Sequence, residues 1–375
     1  MLNVVELDTT SKPQVNEFVN YPFKLYANCP QWVPPIIDDV KKMLNPKRHP
    51  LYEHSDATFF LARRDGEVVG RIAVMENKPY NRVHDSRTAF FSLFECNDDQ
   101  EAASSLFERV FDWAHHRKLN KVVGAKGFGA FDGYGILIEG FEHRAMMTMV
   151  PYNYPYYSRL LEALGFEKEV DFVSCMLTKE NLTLSEKVHR VAERVKQRKS
   201  FEVINLQTRS DLKKWARRIG EAYNKTFINN WEYYPISDRE IDQLVSDLLT
   251  IADPHLMKVI ARNNEVVGFL MAFADITPAL QRMRGRITPW AIIDLLLERQ
   301  RAKWVTFNGM GVLPEYQGLG GTALMYTEVE KTIKKYKFDY VDMPQVAETA
   351  TQMRKELVNL GGKEYRNHRV YRKFI

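Results

Sequence analysis

The stretch WVTFNGMGVLPEYQGLGGTALMYTEVEKTIKKY, residues 304–336, decides the reading of the chain. Trp304 to Val312 is rich in strand formers, Val305, Phe307 and Val312 among them. Pro314 ends the strand because it has no N–H to give to a ladder. Gly318, Gly320 and Gly321 then fall within four residues. Beyond them Leu324 or Met325, Val329 and Ile333 recur at helical spacing, with Glu328, Lys331 and Lys334 on the other side. The order strand, glycine turn, helix makes an anion seat. The first N–H groups of a helix lack intrahelical partners and sit at the positive end of its dipole. Glycines let a phosphate approach them closely. The lack of Gly-Lys-Ser/Thr excludes a nucleoside-triphosphate loop, and the spacing is not the GxGxxG of a dinucleotide fold. A glycine-rich turn that holds no ligand is the alternative.

A chain of 375 residues is long for one domain and fits two. Apolar residues at 45% and aromatics at 12% supply cores and large clefts and exclude a disordered chain. The net charge of +5, from 53 basic and 48 acidic residues, is too balanced to call for nucleic acid. Cys29, Cys96 and Cys175 are far apart and have no metal-ligand spacing, so no metal is expected and the thiols are read as reduced, in a cytoplasmic chain. No signal-peptide pattern and no apolar run of membrane-spanning length is present, so no membrane partner is expected.

Taken in order, residues 3–7, 59–63, 68–75, 89–96, 121–124 and 170–177 read as strands of a first half, with helices over 13–28, 100–118 and 155–164. Asp65-Gly66 signals a hairpin. A polar stretch over 179–200 becomes a basic helix with Val188, Val191 and Val195 on one face, a linker by this reading. The second half restarts the pattern: strand 201–206, helix 210–225, a hairpin of 257–262 with 266–273 across Asn263-Asn264-Glu265, the glycine stretch, a strand at 340–343, a helix over 349–360 and a last strand at 365–374. Glu67-Val68-Val69-Gly70 matches Glu265-Val266-Val267-Gly268 at an offset of 198, and Leu164-Gly165 matches Leu360-Gly361 at an offset of 196. The halves are an internal repeat. They are expected as domains 1–180 and 201–375, joined by a linker at 181–200.

The repeated order, with Val312, Pro314, Gln317 and Gly320 spaced as they are, resembles the GNAT superfamily of N-acetyltransferases, whose acetyl-CoA loop is written Q/R-x-x-G-x-G/A after V-x-P. Thr322 stands where that pattern has Gly or Ala, and moving Gly321 into its place by one deletion fits equally well. Nearly the whole chain is also similar to a group of bacterial tandem acetyltransferase-like proteins, through QWVPPI (31–36), GYGILIEGFE (133–142), YNYPYYSRLLEALGFEK (152–168) and YRNHRVYRKFI (365–375). The resemblance implies an α/β (α+β) fold of two tandem GNAT-like domains, each a mixed, mostly antiparallel twisted sheet flanked by helices. It implies acetyl-CoA or another acyl-CoA, bound by Gly311, Val312, Leu313, Gln317, Gly318, Leu319, Gly320, Gly321 and Thr322. It implies a small-molecule or peptide amine acceptor and a monomer or homodimer.

Only one half is expected to hold the cofactor. After the strand at 89–96 the first half reads Cys96-Asn97-Asp98-Asp99-Gln100-Glu101, with carboxylates where an anion would sit and Asn97 or Asp98 as the cap. The Gly-rich run 124–140 precedes no helix and reads as a structured loop, and Tyr152, Tyr154, Tyr156 and Tyr157 read as core or interface aromatics. In the second half the Tyr that the resemblance places four residues before the helix-ending glycine is Leu357, and the Asn seven residues earlier is Ala350. Substitutes for acid and base are then sought in Glu232, Asp275 and Tyr365, with Tyr371 on the same strand. The insertion 276–303 adds a helix over 290–302, with Arg282, Arg284 and Arg286 before it. The readings left standing are an acyl-CoA-dependent N-acyltransferase, a non-catalytic acyl-CoA-binding or scaffold protein, and an aminoacyl or peptidyl transferase of tandem architecture.

Overall fold

Two tight turns set the register of the two central hairpins. In the computed structural model of the chain, Asp65 and Gly66 take φ of 51° and 87°, and Asn263 and Asn264 take 50° and 66°. Two successive left-handed residues make a type I′ turn, whose twist matches that of the strands it joins, and Asp, Asn and Gly tolerate it best. The flanking strands close antiparallel on Arg64–Glu67 and Arg262–Glu265. The structure describes residues 1–129, 132–146, 150–181, 184–228, 230–231 and 233–375.

The elements of the first half are β1 (Leu2–Glu6), α1 (Lys12–Leu25), α2 (Ile37–Met43), β2 (Asp56–Arg64), β3 (Glu67–Glu76), α3 (Lys78–Val83), β4 (Thr88–Cys96), α4 (Gln100–His116), β5 (Lys121–Gly124), β6 (Ile136–Glu139), α5 (Tyr156–Ala163) and β7 (Glu167–Thr178). Those that follow are α6 (Glu186–Gln197), β8 (Glu202–Ile204), α7 (Arg209–Thr226), α8 (Asp238–Ile251), β9 (Lys258–Arg262), β10 (Glu265–Ala274), α9 (Thr277–Met283), α10 (Pro289–Arg301), β11 (Trp304–Val312), α11 (Gly321–Tyr336), β12 (Tyr340–Ala347), α12 (Thr351–Asn359) and β13 (Lys363–Phe374).

The chain divides into two units. Unit 1 comprises residues 1–173, 276–297 and 365–375, and unit 2 comprises 174–275 and 298–364. The division departs from a simple cut between the halves in two places: the insertion 276–297 and the last strand both go to unit 1. In unit 1 the strands run β1-β2-β3-β4-β5-β13, and β13 sets Tyr371 opposite Gly124 of β5 and His368 opposite Leu137 of β6. In unit 2 they run β8-β9-β10-β11-β12. Both sheets are antiparallel except for one parallel pair each, β4 with β5 and β11 with β12.

Each sheet is covered by the helix that follows the strand of its parallel pair. α4 buries Ala102, Leu106, Phe107 and Val110, and Phe107 meets Phe91 edge-on with centroids 5.1 Å apart. α11 buries Leu324, Met325, Val329 and Ile333, the apolar side read from the sequence. Burial of such a side chain is worth roughly 1.5–3 kcal/mol. α6, read as a linker, lies in unit 2 and packs on α11, where Lys196 Nζ meets Glu328 Oε1 at 3.0 Å and Ala192 and Val195 are buried.

His368 on β13 is fully buried, and its Nε2–H donates to the Pro151 carbonyl at 2.9 Å. Burial, with Arg366 adding to it, pushes the imidazole pKa down to about 3. The unfolded chain takes up a proton below about 6.5 that the folded ring refuses, so stability falls as pH drops from there toward 3. Urea unfolding at pH 7 and pH 4.5 is expected to show the loss, and His368→Gln is expected to shrink the difference by about 2 kcal/mol.

Candidate functional site

The glycine turn forms as its composition demands. β11 ends at Val312, a short 3-10 turn covers Pro314–Tyr316, and α11 starts at Gly321. Gly318 and Gly320 take φ of +75° and +86°, which only glycine adopts without strain. No described side chain caps α11, and its first turn holds no acid. Leu319 projects outward, 52% exposed. The two glycines differ in what surrounds them. A Cβ on Gly318 would meet nothing within 4 Å, whereas one on Gly320 would lie 2.7 Å from Val195 Cγ2 and 3.0 Å from Val191 Cγ1 of α6. Gly320 therefore also serves a close approach of α6, a role the sequence reading did not foresee.

The turn stands at the mouth of a split between parallel strands. β11 pairs with β12 only over Trp304–Tyr340, Val305–Val341 and Thr306–Asp342. On its other edge β11 stays with β10 to Gly268–Val312, absorbing one extra residue in a bulge between Phe307 and Met310. Leu313 N–H donates to Val267 O at 2.9 Å, so its donor is spent on the neighbouring strand. Main-chain groups on a strand alternate in direction, so the N–H and C=O of Val312 point away from β10 into the split. Gln317 Nε2 donates to the Val312 carbonyl at 3.1 Å. Among the described residues, no side chain takes the Val312 N–H.

Unit 1 repeats this geometry and closes it. β4 pairs with β5 only from Thr88–Lys121 to Phe91–Gly124, then continues to Cys96 beside β3. Gly70 opposite Cys96 corresponds to Gly268 opposite Val312, and Asn97 N–H donating to Val69 O at 2.9 Å corresponds to the Leu313 bond. Cys96 thus occupies the place of Val312. Its N–H donates to the Tyr157 hydroxyl at 3.1 Å, and its carbonyl accepts from the Tyr156 hydroxyl at 2.7 Å. Glu95, in the place of Gly311, puts a carboxylate in the split, where it accepts from Tyr26 at 2.6 Å and Tyr157 at 2.7 Å beside the buried Arg71 at 4.0 Å. Burial pushes the Glu95 carboxyl above its ordinary range against the pull of Arg71 and the two hydroxyls. The N-terminus of α4 is closed too: the Asp99 side chain caps it at the Ala102 N–H, 3.0 Å away, and Arg64 pairs with Asp99 and Glu101 at 2.8 and 2.7 Å. Asp99 is the cap, one or two residues later than expected.

The expected acid and base candidates do not gather at the turn. Glu232 lies outside the described residues. Asp275 is buried at the end of β10 beside the start of β11, its N–H bonded to Trp304 O at 3.0 Å. The register Gly268–Val312 to Ala274–Val305 puts about seven residues, ~24 Å, between it and the turn. The antiparallel order of β10 and β11 sets it at the end of the pair away from the turn. Tyr365 belongs to unit 1, where its hydroxyl accepts from Arg366 and its ring meets His143 edge-on at 4.9 Å. Tyr371 is buried against Glu162 at 3.1 Å. Leu357 is buried on α12, where the resemblance implies a tyrosine. The residue the sequence reading missed is Glu95, because a carboxylate ending a strand carries no motif; Val312 was among the expected ligand-holding residues.

No family model matches the chain. It is 24% identical over 371 residues to "Protein YghO" of Escherichia coli (strain K12), covering 97% of this chain and 94% of that one. It is 23% identical over 383 residues to "Bacterial ceramide synthase" of Caulobacter vibrioides (strain NA1000 / CB15N), covering 100% and 98%. Among solved structures, a tandem GNAT protein from the clavulanic acid biosynthesis pathway superposes with a TM-score of 0.55 at 11% identity, over 100% of this chain and 98% of that one. The chain has the tandem GNAT fold.

The two roles of Gly320 can be weighed. Gly320→Ala is expected to cost about 1–3 kcal/mol in urea unfolding, from the positive φ and the contact with Val195. The cost should be smaller when measured in a Val195→Ala background, which removes the Cγ2 atom it meets.

Proposed function

We propose that the chain is an acyl-CoA-dependent N-acyltransferase whose working site lies in residues 201–375. The observation that carries the reading is the unlike state of two equivalent amides, with Cys96 N–H taken by Tyr157 and no described side chain on Val312 N–H. A bound acyl-CoA would supply an activated thioester. The N–H groups from Gly321 onward, at the positive end of α11, would hold its pyrophosphate. Gln317 steadies the Val312 carbonyl, and the Val312 N–H can donate to the thioester oxygen as charge gathers there. With the thioester held there, an amine would take the acyl group as the C–S bond gives way, and the proton lost by the amine would balance the one gained by the thiolate. The offset of 196 that pairs Gly165 with Gly361 pairs Tyr157 with Met353, whose thioether offers no hydroxyl to fill the split.

The relative named a bacterial ceramide synthase points to an acceptor class: the amine of a long-chain base. The buried Leu357 favours a second reading, binding of acyl-CoA without turnover, because the place of a thiolate-protonating tyrosine is apolar. The two separate by free thiol released from acyl-CoA with a panel of a long-chain amino alcohol, a polyamine, an amino sugar and a peptide. Release that depends on the long-chain amine is expected; binding with no release for any amine would favour the second reading.

Thr322→Glu separates seat from fold. A carboxylate in the first turn of α11 should leave the melting temperature equal or higher, being worth about 0.3–1 kcal/mol at a helix N-terminus. The same charge should weaken acetyl-CoA binding in isothermal titration by about tenfold or more. Unchanged affinity would place the pyrophosphate elsewhere.

A further inference from the structure

The insertion after β10 carries a helix turned inside out. α10 has no buried residue. Twelve large apolar side chains are strongly exposed among the described residues, and Ile287, Trp290, Ile292, Ile293, Leu296 and Leu297 are six of them. Trp290 is 79% exposed. The two acids of α10 lie the other way. Asp294 and Glu298, one turn apart, are only half exposed, and Asp294 is gripped at two points by Arg282, Nε to Oδ2 and Nη2 to Oδ1, both at 2.9 Å. The preceding α9 is fastened to unit 1: Gln281 Nε2 donates to the carbonyls of Pro30 and Trp32 at 2.8 and 2.9 Å, and Ile37 N–H donates to Gly285 O at 2.9 Å. The helix is therefore held by its charged side with its apolar side outward, the reverse of a helix that serves a core.

We propose that α10 seats the protein on an anionic lipid surface, lying in the plane of the headgroups. Thirteen residues make a helix of about 20 Å, too short for the roughly 30 Å hydrocarbon layer, so it lies on the bilayer and does not cross it. No helix among the described residues is long and apolar enough to cross a membrane. The expectation of no membrane partner came from the lack of a spanning run, which a helix lying flat escapes. Charge selects the surface. From Arg282 to Lys303 the chain has six basic residues (Arg282, Arg284, Arg286, Arg299, Arg301, Lys303) against two acidic ones. Arg284 and Arg286 are exposed just before the apolar face, and Arg299 and Arg301 end the helix. An apolar face with a tryptophan, flanked by arginines, is the composition of an interfacial helix, with the arginines meeting anionic headgroups. The assignment stands on the helix alone and holds whether or not the chain transfers acyl groups.

Flotation of the whole chain with vesicles tests it. With vesicles of phosphatidylcholine and 30% phosphatidylglycerol (~30%, enough to set a negative surface), the protein is expected to float. With phosphatidylcholine alone, or in high salt, the floated fraction should fall severalfold. Ile293→Glu with Leu297→Glu should lower partition by about tenfold or more at an unchanged melting temperature, since both side chains are outside the core. Should that pair fail to fold, Trp290→Gln serves, with a smaller loss. Two results would overturn the proposal: no flotation at any anionic fraction, or a dimer in solution that the Glu pair splits into monomers while the wild-type chain ignores vesicles, which would make a second copy the partner.

Discussion

Everything proposed for the second half depends on one constraint: a parallel strand pair that separates while its outer edge stays bonded. β11 leaves β12 after Thr306 and keeps β10 to Val312. A strand held on one side only presents its alternate N–H and C=O groups to whatever enters the gap. The glycine turn then starts α11 beside that gap, so strand amide and helix terminus offer donors in succession. Without the separation, the Val312 amide would be a ladder donor and the turn an ordinary strand-to-helix corner.

The duplicated half meets the same constraint with its own side chains. Unpartnered buried main-chain groups are unfavourable by about 1–3 kcal/mol each. The first half meets the cost internally. Tyr157 and Tyr156 serve the N–H and C=O of Cys96, Glu95 and Arg71 occupy the split, and Asp99 caps the helix. The same architecture thus carries two arrangements, one in which its own side chains take the strand amide and one in which, among the described residues, no side chain takes the Val312 N–H. Divergence of the copies can be placed at a few residues: Glu95 against Gly311, Tyr157 against Met353, Asp99 against the glycines of the turn.

Much of this was legible in the sequence because it rests on local chemistry. Asp65-Gly66 and Asn263-Asn264 adopt the positive φ their residue types suit, and the 198-residue offset between the hairpins survives in the carbonyls of Val69 and Val267, which accept from Asn97 and Leu313. The acids at 98–101 were read as closing the first helix, and Asp99 caps it, one or two residues after the expected Asn97 or Asp98. What escaped was tertiary. The close contact of α6 with Gly320 joins residues 125 positions apart, from Val195 to Gly320. Asp275, sought as an acid or base, lies at the far end of the strand pair, which only the pairing direction shows. The exchange that sends β13 to unit 1 leaves no local trace, since its residues would alternate the same way in either sheet. α10 reads as an ordinary helix until its large apolar side chains are seen to be exposed.

Hydrogen–deuterium exchange of the full chain, with and without acetyl-CoA, measures the asymmetry of the two halves directly. The account predicts slowed exchange in peptides covering 310–325, where the Val312 amide and the first turn of α11 lie, and no change over 94–104. Protection confined to 94–104, or no protection in either segment at saturating ligand, would contradict it.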